Sequence, residues 1–101
     1  MRAIINRTKY DTETATLIGE TSHGWGRDHG YYSCGLYRTR TGRYFLAGKG
    51  GPASMFAQQV GNSSIGGSGI VPLEEGEALD FAERHSLLMG MLDSWYHYNL
   101  K

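Results

Sequence analysis

The feature that most constrains the fold is a pair of β-prone runs, residues 31–38 and 43–48, joined by a four-residue connection. The connection ends on Gly42, and glycine near the end of a short connection suits the left-handed position of a hairpin turn. In the second run, apolar side chains fall on both alternating faces, as expected for a strand inside a sheet. We therefore predict a central hairpin over residues 31–48, within a small antiparallel sheet of three or four strands.

Shorter segments on both sides of this hairpin supply the other strands. Residues 2–5 read as a short strand that ends at Asn6, and residues 8–10 either continue it or pair back on it. Residues 70–73 are predicted as an edge strand, because a proline within a strand costs least at the edge of a sheet.

Two helices are predicted around the sheet, which gives an α+β fold. A short N-terminal helix is expected over residues 12–20, although its three threonines make it dependent on tertiary support. A long C-terminal helix is expected from Glu74 onward, because apolar side chains recur at steps of three and four as far as Tyr96. Residues 84–86 and Gly90 are the expected positions of a kink or break in it.

The length and composition are those of one small domain over residues 1–101. Hydrophobic residues make up 40% of the chain and charged residues 20%, which is typical of globular proteins. Cys34 is the single cysteine, so no internal disulfide framework exists, and a reducing compartment is favoured. No signal peptide and no long apolar run are visible. We expect a cytoplasmic protein without membrane contact.

The side chains that most often carry chemistry do not form a recognisable motif. His23, His29, Cys34 and His85 match none of the common zinc-ligand spacings. The glycine- and serine-rich loop over residues 61–69 lacks the lysine of a phosphate-binding loop. We therefore expect no metal, no cofactor and no catalytic site, and predict a binding protein and not an enzyme.

Charge is segregated along the chain although the net charge is zero. Residues 1–49 hold eight Lys/Arg and four Asp/Glu, whereas residues 50–101 hold two and six, which gives +4 and −4. The start of the C-terminal helix therefore presents an acidic face that can meet a basic partner, the plain alternative being a solvated surface. The residues of this acidic face are Glu74, Glu75, Glu77, Asp80 and Glu83.

The tip of the central hairpin is the contrasting basic feature. Arginine binds phosphate through its planar fork, and tyrosine can stack on bases. The tip is thus a candidate surface for a partner or for nucleic acid, although a neutral chain lacks the strongly basic balance that drives phosphate binding. The residues concerned are Tyr37, Arg38, Arg40 and Arg43.

The C-terminal extension over residues 86–101 carries more apolar side chains than one helix face can hold. A domain this small can bury only one such face, so the excess favours a partner, and a second copy is the simplest one. We expect a homodimer; the alternative is a helix wrapped fully onto its own sheet. The predicted interface residues are Leu88, Met91, Leu92, Trp95 and Tyr96.

Several of these segments together resemble a family of small proteins carried by phages, plasmids and other mobile genetic elements. The resemblance covers roughly residues 4–85 and ends before the C-terminal extension. The segments that carry it are residues 9–15 (KYDTETA), 36–46 (LYRTRTGRYFL), 48–52 (GKGGP), 70–73 (IVPL) and 82–85 (AERH).

Proteins of this size and setting include anti-CRISPR inhibitors. The resemblance therefore implies an inhibitor that binds a bacterial CRISPR–Cas effector complex, of the multi-subunit kind, by protein–protein contact in the host cytoplasm. The alternative function is a nucleic-acid-binding accessory protein of a mobile element, acting through the basic hairpin tip over residues 37–44. The two hypotheses differ in their assays, which are phage protection for the first and a salt-dependent gel shift for the second.

Overall fold

A computed structural model describes residues 1–25 and 27–91 and shows a mostly β protein with two short helical segments. The second of these segments begins at Leu88 and includes Met91. The elements are β1 (Arg2–Ile5), β2 (Thr8–Asp11), β3 (Thr16–His23), β4 (Tyr32–Arg38), β5 (Tyr44–Gly50), β6 (Gln58–Val60), β7 (Ser63–Ile65), β8 (Gly67–Leu73) and α1 (Glu75–Arg84).

A four-stranded antiparallel sheet in the order β3-β4-β5-β8 forms the centre of the molecule. The predicted central hairpin is confirmed as β4 and β5, and its turn is closed by a hydrogen bond from Thr39 N to Arg43 O. Gly42 has a φ of 87°, the left-handed conformation that the sequence predicted there. Residues 70–73 lie in β8 at the edge, and β2 pairs back on β1 to form a separate N-terminal hairpin.

Both faces of the central sheet are covered. Along β5, Tyr44 and Leu46 point to one face and pack with α1 through Ala78 and Phe81. The residue between them, Phe45, points to the opposite face. There it packs against the N-terminal hairpin, with Tyr10 among its neighbours. The sheet therefore separates α1 from the N-terminal hairpin, and each side has its own small core.

The short N-terminal helix predicted over residues 12–20 is wrong. Asp11 instead nucleates a turn, in which its side chain accepts a hydrogen bond from Glu13 N at 2.9 Å and its carbonyl accepts one from Ala15 N. The chain then enters β3 and pairs with β4. The threonines explain the outcome, because β-branched side chains lose rotamer freedom in a helix and pack well on a sheet.

The long C-terminal helix is also wrong, and the α+β prediction is corrected to a mostly β fold. After ten residues α1 ends at Arg84, and Ser86 has a φ of 60°, which directs the chain away from the helix axis. A bond from Leu87 N to Ala82 O, 2.7 Å long, closes the helix end. Within residues 1–25 and 27–91, no helix is long and apolar enough to cross a membrane.

Close backbone packing explains the glycines of the 48–52 segment without any ligand. A Cβ atom added at Gly48 would lie 2.2 Å from the carbonyl oxygen of Ser33 and 2.6 Å from Cys34 Cα. Only glycine allows β5 to approach β4 this closely, so the segment serves the fold.

Candidate functional site

The acidic face lies on α1, which is packed against the central sheet. Ala78, Phe81 and Ala82 are buried against the sheet, at the three- and four-residue spacing of one helix face. The helix start is fixed by a hydrogen bond of 2.8 Å from Glu74 N to the Glu77 carboxylate, which satisfies a backbone group that the helix leaves unpaired. All five predicted carboxylates are exposed, and they lie on the start and the outer sides of α1.

Sequence reasoning missed one member of this surface, Leu79. Its side chain is 42% exposed, and it lies between Glu75 and Glu83 in one row of residues four apart. The sequence signal for an exposed Leu79 was its position four residues from a carboxylate on either side, on the outer side of the helix. Among the residues that the structure describes, no cation lies within ion-pair distance of a carboxylate of α1.

His85 fixes the far end of the helix. Its Nε2 lies 2.9 Å from the Tyr32 hydroxyl and its Nδ1 lies 3.4 Å from Thr21 Oγ1. Burial lowers the pKa of His85, and the charges of Arg84 and His23 lower it further. Burial also raises the pKa of Tyr32. These shifts favour neutral side chains here, which suits a structural anchor that keeps the acidic face in place.

The structure separates the residues of the basic hairpin tip. Arg38 is only 6% exposed, and its guanidinium lies over the Tyr44 ring at 5.5 Å. Tyr37 stacks on Phe45, with ring centroids 5.1 Å apart, so Phe45 covers one face of the tyrosine ring. Arg40 and Arg43 alone remain exposed. A nucleic-acid surface built on three arginines and a stacking tyrosine is therefore reduced to two arginines.

A polar groove lies between the basic hairpin tip and the acidic face of α1. The groove has a volume of about 390 Å³ and lies between the β1–β2 turn, the β4–β5 turn and the start of α1. Arg43 lines one side, and Glu74, Glu75 and Glu77 line the other. The basic tip is therefore bordered by carboxylates, which weakens any attraction to phosphate.

The residues predicted for the dimer interface differ in their surroundings in the structure. Met91 is 5% exposed and belongs to the main core of its own chain, and Leu88 is half-buried. A buried Met91 is not available to a second copy. Leu92, Trp95 and Tyr96 lie outside the described residues. The homodimer stays a prediction, which light scattering on the purified protein tests directly.

Three of the other side chains that can carry chemistry lie around Tyr32. His23 stacks on its ring with centroids 5.5 Å apart, His85 is hydrogen bonded to its hydroxyl, and Cys34 is near enough to add to the rise that burial causes in its pKa. Burial raises the pKa of the Cys34 thiol to about 11, so the reactive thiolate is scarce at neutral pH. In the described ranges, no three His, Cys, Asp or Glu side chains are grouped so as to hold a metal ion. The glycine- and serine-rich loop forms the small hairpin of β6 and β7, where Ser64 Oγ donates to the carbonyl of Pro52.

No family model, curated protein or solved structure matches this chain. The implied kinship with mobile-element proteins therefore stays a prediction.

Proposed function

We propose that this chain is an inhibitor that binds a bacterial CRISPR–Cas effector through the acidic face of α1. The observation that carries the proposal is the row Glu75, Leu79 and Glu83, in which an exposed apolar side chain lies between carboxylates that have no ion-pair partner in the described ranges. Such a row suits a basic groove, where the leucine contributes apolar burial and the carboxylates contribute orientation.

The rigidity of the helix supports the proposal. A surface that is already ordered loses little conformational entropy on binding, and α1 is held by its buried face, by the Glu74–Glu77 hydrogen bond and by His85. CRISPR–Cas effectors bind nucleic acid, so they carry basic channels that an acidic helix can occupy. The proposed activity requires the protein to act in the cytoplasm of the host bacterium.

Phage or plasmid protection in a bacterium with an active CRISPR–Cas system tests the proposal. The wild-type protein is expected to protect, and Glu75→Gln/Glu83→Gln is expected to lose protection. These changes keep side-chain size and remove charge. Leu79→Ala is expected to weaken protection by faster dissociation, because it removes apolar contact area.

The matched control is Glu13→Gln/Glu20→Gln, which neutralises two exposed carboxylates outside α1. This control is expected to protect as well as the wild type. Binding to the purified effector complements the cell assay, since neutralising the acidic face should slow association and reduce its dependence on salt. Failure of the wild type to protect against any CRISPR–Cas system would overturn the proposal, as would equal losses in the control and the acidic-face variant.

A further inference from the structure

The N-terminal hairpin presents a basic outer face. Ala3 and Ile5 are half-buried, whereas the alternating residues Arg2 and Ile4 point outward. Ile4 is 77% exposed, and its cross-strand partner is Lys9, which is also exposed. The outer face therefore consists of an apolar side chain flanked by cations on a two-stranded ribbon. We call Arg2, Ile4, Arg7 and Lys9 the ribbon face.

Arg7 occupies the turn of this ribbon in a conformation that arginine rarely adopts. The two turn residues, Asn6 and Arg7, have φ values of 51° and 66°, as required for a type I′ turn. Glycine is the favoured residue at the second position, because a side chain there is strained. Arg7 is exposed in this strained conformation, which places its cation at the tip of the ribbon.

One largely buried carboxylate, Asp11, lies beside two of the three cations of the ribbon face, since it is the cross-strand partner of Arg2 and a neighbour of Lys9. Lys9 forms an ion pair with Asp11 at 3.8 Å, but the lysine side chain remains 61% exposed and can also contact a ligand. Arg43 lies across the adjoining groove from Asn6 and Thr8, and Arg40 belongs to the same turn as Arg43. Three carboxylates, Glu74, Glu75 and Glu77, line the same groove, so the arginines of the β4–β5 turn are not counted in the ribbon face.

We propose that the ribbon face binds double-stranded DNA, with the two-stranded ribbon seated in the major groove. A major groove of about 12 Å accepts a two-stranded ribbon, whose strands lie about 4.8 Å apart. Four residues of strand span about 13 Å, which corresponds to roughly four base pairs. Arg2, Arg7 and Lys9 contact phosphates, and Ile4 packs against base edges.

This inference is independent of the proposed function. The N-terminal hairpin and α1 pack on opposite faces of the sheet, and both border the groove described above. The ribbon face does not line that groove and shares no residue with the acidic face, so each can be substituted separately. It also differs from the hairpin-tip hypothesis, because its principal residues come from β1, β2 and their turn. A protein that fails to protect against CRISPR–Cas systems could still bind a duplex, and the reverse also holds.

Fluorescence anisotropy of a labelled DNA duplex, measured over a series of NaCl concentrations, tests the inference. The wild type is expected to bind at low salt, with an affinity that falls linearly with salt on logarithmic axes. Lys9→Ala is expected to reduce that slope by about one, the value for one lost phosphate contact. The matched control is Arg27→Ala, which removes one exposed charge from the 24–31 loop and is expected to leave the slope unchanged.

Arg7→Gly distinguishes a loss of binding from a loss of folding. Relief of the left-handed strain is expected to raise the melting temperature, while loss of the side chain weakens binding to the duplex. Three outcomes would each overturn the inference. These are no anisotropy change for the wild type at low salt, equal slopes for Lys9→Ala and Arg27→Ala, and binding to phosphatidylserine vesicles without binding to the duplex.

Discussion

The Tyr32 hydroxyl lies 2.9 Å from His85 Nε2, so an interior strand is hydrogen bonded to the residue that follows α1. The Phe81 ring packs on the same imidazole, with centroids 4.3 Å apart. One side chain thus holds the end of the helix against the sheet. The position of the acidic face depends on this contact, although neither residue belongs to the proposed binding surface.

Removal of the Tyr32 hydroxyl is expected to destabilise the protein. Tyr32→Phe keeps the ring and deletes one hydrogen bond, which should lower the free energy of unfolding by about 1 kcal/mol. The matched control is Tyr31→Phe, because the Tyr31 hydroxyl makes no hydrogen bond to any described residue. Urea unfolding followed by circular dichroism measures both variants, and equal losses would contradict the anchoring role of His85.

Stability is expected to fall as the pH drops below about 6.5, the ordinary value for histidine. Burial, Arg84 and His23 lower the pKa of His85 in the folded state, so the unfolded chain binds the proton more readily. Stability linked to this group is therefore present above the unfolded pKa and is lost as pH falls toward the folded one. His85→Gln should flatten the dependence between pH 7 and pH 5, measured as the urea midpoint. An unchanged slope would contradict the assignment.

Gly48→Ala is expected to destabilise the fold strongly. The added methyl group would lie 2.2 Å from Ser33 O, so β4 and β5 must separate, at a cost of about 1–3 kcal/mol. Gly69→Ala is the control, because a Cβ there meets no atom within 4 Å. Thermal unfolding should show a clear decrease in melting temperature for the first and almost none for the second.

Cys34 is expected to react slowly with thiol reagents in the folded protein. With a pKa of about 11, only about one thiol in a thousand is ionised at pH 8, and the side chain is buried. Reaction with Ellman's reagent, followed by absorbance, should accelerate greatly in denaturant. A native rate equal to the denatured rate would show that the thiol is accessible.

Local patterns predicted those parts of the fold in which neighbours in sequence also pair in space. Gly42 marked the turn of the central hairpin, and its alternating strands set the pairing. The helix break after Arg84 had a weaker signal, the polar stretch over residues 84–86, because Leu88 and Met91 continue the helical spacing beyond it. Contacts of His85 with β3 and β4 determine the break, and these are distant in the sequence.

In the candidate site, too, some positions could be predicted from the sequence and others were missed. The five carboxylates of the acidic face follow from a helix with one buried face. The burial of Arg38 was missed, although the signal was present, since Arg38 shares its strand face with Cys34 and Leu36. The outward position of Arg2 follows from the same alternation once β1 is known to pack on the sheet.

The placement of α1 and the N-terminal hairpin on opposite faces of the sheet separates the acidic face from the ribbon face, which gives this neutral chain an electric dipole. Such a molecule experiences little net force in a uniform field, but it turns to align with one. Near a highly charged partner it therefore arrives already oriented, with the ribbon toward an anionic surface or the helix toward a cationic one. The chain therefore has zero net charge but one surface that attracts anions and another that attracts cations. The protein should be retained at low salt by both cation- and anion-exchange media.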